Sequence, residues 1–77
     1  MKTVSIDLHG MTSAEAKKRL LSALKNCSGD VGEIEIVHGF NSGKVLLNMV
    51  RSLSHPRIDR KIVGMNNGVT IYVIKKL

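Results

Sequence analysis

The stretch TVSIDLHGMTSAE, residues 3–15, decides the fold. Its first half alternates. Val4, Ile6 and Leu8 face one way, and Thr3, Ser5, Asp7 and His9 face the other. A period of two marks a strand with one buried face. Gly10 and Met11 break the alternation. Thr12-Ser13-Ala14-Glu15 then has the form of a capping box, with Thr12 as N-cap and Glu15 at the third helical position. A strand therefore hands over directly to a helix. The helix is expected to run to about Asn26, with Ala16, Leu20, Ala23, Leu24 and Cys27 as its apolar stripe.

Working outward, the same alternation of elements repeats. Ser28-Gly29-Asp30 stops the helix, and Gly32 to Val37 reads as a second strand with Ile34 and Ile36 on one face. His38-Gly39 closes it. A loop leads to a second helix, about Gly43 to Leu53, whose core stripe is Leu46, Met49, Val50 and Leu53. Pro56 ends it, because proline disfavours the helical state of the residue before it. Arg57 to Val63 is the third strand. Asn67-Gly68 between two β-rich runs signals a hairpin into a last strand, Val69 to Lys76. The order β-α-β-α-β-β predicts parallel strands across each crossover and an antiparallel final pair. The fold class is α/β: a four-stranded mixed sheet with both helices on one face and the other face open.

At 77 residues the chain is one domain, residues 1–77. Two aromatic residues, Phe40 and Tyr72, argue against a nucleic-acid binder built on aromatic stacking. The single cysteine, Cys27, excludes an internal disulfide and a zinc site built on several thiolates. At the end of an apolar stripe it reads as a buried residue, not a reactive thiol. No apolar run is long enough to span a membrane, and the first residues lack the apolar region of a signal peptide. The expected compartment is the cytoplasm.

The net charge of +6 is unevenly distributed. Residues 1–38 carry five basic and five acidic side chains. Residues 39–77 carry seven basic ones against Asp59 alone. Such asymmetry points to a polyanion, for which nucleic acid is the usual partner. This basic half is expected to form a surface that continues to the functional site.

That site is expected at the carboxyl ends of the parallel strands, where open α/β sheets bind ligands. Asp7, His9 and Gly10 follow the first strand, and His38 and Gly39 follow the second. Both helices begin on the same edge, and their free N–H groups and positive dipole ends attract phosphate. Asp7, His9 and His38 are the candidate catalytic set, because imidazole and carboxylate serve acid–base work near neutral pH. Carboxylate and imidazole also suit a divalent metal ion, although no spacing demands one. Gly39, Asn41, Gly43, Lys44 and Arg51 are the candidate phosphate contacts. His55 has no evident partner. The segment from Gly39 to Val45 superficially resembles a nucleotide-binding loop. It has one residue too few between its glycines and valine in place of the Mg²⁺-binding hydroxyl, so an NTPase is rejected.

Residues Ile6 to Thr12, IDLHGMT, resemble the LDLHG-plus-threonine signature of the Smr (small MutS-related) domain. Val37-His38-Gly39 and the loop beyond it resemble that family's second motif, HGxGxG. The likeness covers essentially the whole chain. It implies a two-layer α/β sandwich like the C-terminal domain of a bacterial initiation factor. It also implies nucleic-acid binding, with nicking or endonuclease activity on DNA or RNA in some members and action at ribosomes in others. By position, Asp7 and His9 match the first motif, and His38, Gly39 and Gly43 match the second. Two positions depart from the pattern. Asn41 stands at the middle glycine, and Leu46 or Leu47 stands where an arginine commonly follows. Lys44 offers charge there without arginine's bidentate geometry.

Two functions follow from these residues, beside the plain alternative of a small protein-interaction domain. One is phosphodiester cleavage by the Asp7, His9 and His38 set. The other is a nucleic-acid- or ribosome-binding module without chemistry.

Overall fold

The computed structural model describes residues 2–39, 44–63 and 68–76. Its elements are β1 (Lys2–Asp7), α1 (Ser13–Asn26), β2 (Val31–Val37), α2 (Val45–Ser52), β3 (Ile58–Ile62) and β4 (Val69–Ile74). The element order is the one expected. The sheet order is β1-β2-β4-β3. β1 and β2 are parallel, and β4 is antiparallel to both β2 and β3. The final strand therefore inserts between β2 and β3 and carries both as neighbours. The tip of the expected hairpin, Gly64 to Asn67, lies outside the described residues.

Each element forms for a local reason. Glu15 N–H donates to the Thr12 hydroxyl at 3.2 Å, and Thr12 N–H donates to the Glu15 carboxylate at 2.9 Å. This closed capping box satisfies donors that a helix start leaves open. It holds the Glu15 carboxyl below its usual range, first through the Thr12 backbone N–H. The α1 stripe buries Ala16, Leu20 and Leu24 against the sheet. Each leucine contributes roughly 1.5–3 kcal/mol by leaving water. α2 buries Leu46, Leu47 and Val50, and Leu53 caps it with its N–H donating to Met49 O. Leu47 broadens the stripe that the sequence predicted.

The core lies between the helices and one face of the sheet. Ile6, Leu8, Ile34, Ile36, Tyr72 and Ile74 supply the sheet side. Tyr72 is fully buried and donates its hydroxyl to Val50 O at 2.5 Å, fastening α2 to β4. Burial pushes its phenol well above the usual tyrosine range. Lys61, on the same face, donates to Arg51 O at 2.8 Å beside the Tyr72 ring. Among the described residues, no helix lies over the opposite sheet face.

Candidate active site

The parallel register aligns Asp7 with Val37, at the carboxyl ends of β1 and β2. Leu8 N–H donates to Val37 O at 2.7 Å, extending the pairing by one step. Leu8 is fully buried. With its side chain in the core, the alternation of the strand drives Asp7 and His9 to the open side. There they bind each other twice. Asp7 Oδ1 accepts from the His9 backbone N–H at 3.0 Å and lies 2.6 Å from His9 Nδ1. A carboxylate only accepts, so Nδ1 carries the proton in this pair. The other ring nitrogen, Nε2, is left with its lone pair directed away from Asp7. The His9 side chain is 77% exposed, so that lone pair is within reach of a substrate. The Asp7 carboxyl is held below its usual range, first by the His9 backbone N–H and then by the His9 ring.

His38 occupies a different environment. It is 1% exposed. Its Nδ1 lies 2.9 Å from Gly39 O, and its Nε2 lies 2.9 Å from Thr70 Oγ1 on β4. The carbonyl can only accept, so Nδ1–H donates and Nε2 accepts from the threonine hydroxyl. Both ring nitrogens are therefore engaged inside the protein. This corrects the expectation that His38 offers a second free imidazole to the edge. The physical reason is parity. Register pairs Asp7 with Val37, so His38 corresponds to Leu8 and not to His9. The two histidine-glycine pairs are offset by one residue, and an offset of one reverses the face.

Gly10 and Gly39 both adopt left-handed backbone, with φ of 80° and 77°. L side chains resist that conformation, which explains glycine after each histidine. The N–H groups of His38 and Gly39 both donate to Gly68 O, at 2.9 and 3.1 Å, so this edge is tied to the start of β4. Thr70 is the partner of His38 that the sequence reading missed. Its signal was there: a polar residue in phase with Tyr72 and Ile74 on a core-facing strand side.

Of the expected phosphate contacts, Lys44 is exposed at the N-cap of α2, on the edge that carries Asp7 and His9. Asn41 and Gly43 lie outside the described residues. Arg51 lies in the last turn of α2, away from that edge, with its Nε buried and unpartnered among the described residues. The basic surface does not continue to the site as expected. Arg57 O accepts from Lys75 N–H where β4 ends, and Arg60 pairs with Val73. These residues sit at the far end of the sheet because β3 starts where β2 starts. No group of three or more His, Cys, Asp and Glu able to hold a metal forms among the described residues. Asp7 and His9 could supply two ligands, the rest coming from water or phosphate oxygens.

No helix is long and apolar enough to cross a membrane among the described residues. No curated protein matches the chain. The Smr domain of Thermus thermophilus MutS2 superposes with a TM-score of 0.85 over 94% of this chain and 98% of that one, at 22% identity. That likeness establishes a shared fold. The sequence model of the Smr domain matches residues 6–65, a span that includes Asp7, His9 and His38. This chain belongs to the Smr domain family.

Proposed function

We propose that the chain binds nucleic acid at the carboxyl edge of β1 and β2 and cleaves a phosphodiester there with the Asp7–His9 pair. One observation carries this reading: an exposed imidazole is held by a carboxylate at 2.6 Å with its outer nitrogen free to act. Asp7 fixes the tautomer and ring orientation and stabilises the imidazolium that forms on proton uptake. His9 Nε2 removes a proton from the attacking oxygen. On RNA that oxygen is the neighbouring 2′-hydroxyl, which attacks phosphorus and expels the 5′-oxygen, protonated by solvent, leaving a cyclic phosphate. On DNA the attacking oxygen is water. Lys44 and the start of α2 stand on the same edge as counter-charge for the phosphate.

His38 is a positioning residue in this reading. It fixes Gly39 and the β2 edge from inside. The second reading, binding without cleavage, is favoured by the same burial, since it leaves no second free imidazole as general acid. End-labelled single- and double-stranded DNA and RNA, incubated with Mn²⁺ or with EDTA, separate the two. Cleavage by wild type and its loss in His9→Gln support the enzyme. Binding with no cleavage of any substrate leaves the binding module.

A further inference from the structure

The sheet face without helices is neither polar nor uniformly charged. Register places Glu33 and Arg60 on either side of Val73, in one row across β2, β4 and β3. The next row is Glu35, Ile71 and Ile62. Val37 and Val69 form a third pair. The face thus has an apolar centre on β4, an acidic flank on β2 and a basic residue on β3. Val37, Ile62, Val69, Ile71 and Val73 are all only half-buried on it. The acidic flank disfavours a nucleic-acid backbone there.

We propose that this face binds a second copy of the same chain, about a twofold axis lying between the two sheets and parallel to β4. The charge pattern selects that axis. Rotation about it lays β2 of one copy over β3 of the other, row on row, so Glu33 meets the partner's Arg60 at two symmetric places. An axis across the strands would stack acidic β2 on acidic β2. About the axis parallel to β4, Val73, Ile71 and Val69 each meet their own counterparts, as an isologous contact allows. Sheets packed face to face sit about 10 Å apart and align within roughly 30°, which the native twist provides.

The size of the face sets the strength. The three strands in the contact, β2, β4 and β3, at ~4.8 Å spacing and about 17 Å of strand give a flat footprint of roughly 250 Å² per copy. With side-chain relief the total buried area reaches roughly 800 Å², the size of a weak, transient contact. The dimer is therefore expected to be weak and to form only at high protein concentration. The axis keeps both copies pointing the same way. Asp7 ends β1 and His9 follows it, outboard of the contact, and both pairs stay open at one end of the dimer.

Sedimentation equilibrium from 5 μM to about 0.5 mM tests the proposal. Wild type should pass from monomer to dimer. Glu33→Arg and Arg60→Glu should each be monomeric throughout, because each sets like charges against each other twice. Mixed together, the two variants should associate at least as tightly as wild type, since every contact is then between opposite charges. Both positions are on the surface, and circular dichroism establishes that the variants fold. Amide shifts of wild type across the same concentrations give a readout free of mutation, and should move on Ile71, Val73 and Glu33. Wild type that stays monomeric at 0.5 mM overturns the proposal, as does a mixture no tighter than its parts. Shifts on this face that follow added oligonucleotide and not protein concentration would assign it to nucleic acid, and would equally overturn it.

Discussion

His38 reaches through the core from the end of β2 to Thr70 on β4, with Nε2 and Oγ1 2.9 Å apart. Thr70 is fully buried, so neither group has water as a substitute partner. Thr70→Val keeps the shape and removes the hydroxyl. It should cost about 1–3 kcal/mol, the penalty for a buried acceptor left alone. Thr70→Ser should recover most of that. The midpoint of urea unfolding measures both. An unchanged midpoint in the valine variant would show that the bond contributes nothing.

Asp7→Asn keeps the size of the side chain and removes the charge that the His9 imidazolium leans on. Cleavage should fall by about 10²–10⁴-fold, the range of a lost acid–base contribution. His9→Gln should fall as far. The two together should be no worse than either, because a unit fails when one part fails. Affinity for an uncleavable oligonucleotide should change little. Additive losses in the double variant would separate Asp7 from His9.

The same pair has an acid limit. The folded Asp7 carboxyl titrates below its ordinary value of 3.8 because His9 N–H groups bond its charged form. A depressed folded pKa gives stability that is complete above the unfolded value and is lost as pH falls through the folded one. Carboxyl NMR should place the Asp7 midpoint below 3.8 in wild type. His9→Ala should raise it only partway, because the larger, backbone contribution survives the substitution. A full return to the ordinary value would mean the ring alone had lowered it.

Gly10→Ala and Gly39→Ala introduce a Cβ that meets nothing within 4 Å at either position. The cost is then conformational, about 1–2 kcal/mol for left-handed backbone. The melting temperature should fall in both variants. If either is as stable as wild type, its positive φ is not required.

Lys44 stands on the site edge, and Arg57 stands at the opposite end of the sheet. Lys44→Ala should lower the slope of log affinity against log salt by about 0.7–0.9, as one phosphate contact predicts. Arg57→Ala should leave the slope nearly unchanged. The reverse result would route the nucleic acid past the far end.

Much of this architecture is local and so was legible. Thr12 and Glu15 close a capping box because their spacing permits nothing else in a helix start. The alternation of Val4, Ile6 and Leu8 is the burial pattern itself. Neighbour order was not legible in the same way. Asn67-Gly68 ties β4 to β3, but nothing local says that its other edge takes β2. The site divides along the same line. Asp7 and His9 share a strand face and lie two residues apart, so their contact is a local matter. His38 looked equivalent by motif, although the alternation already put it in phase with Ile34 and Ile36; its partner Thr70, 32 residues away, is what no local pattern shows.

Leu8 sits between the two residues of the site. Its side chain is wholly inside, its N–H is bonded to Val37 O, and its carbonyl accepts from Met11 N–H. The backbone at Asp7 and His9 cannot shift without drawing that leucine out of the core. The candidate edge therefore has no private melting step. Heat inactivation should coincide with global unfolding, and a denaturant series should show activity and core fluorescence or dichroism vanishing together. Any variant that loosens the core around Leu8 should act on turnover and on stability at once, although it never touches substrate.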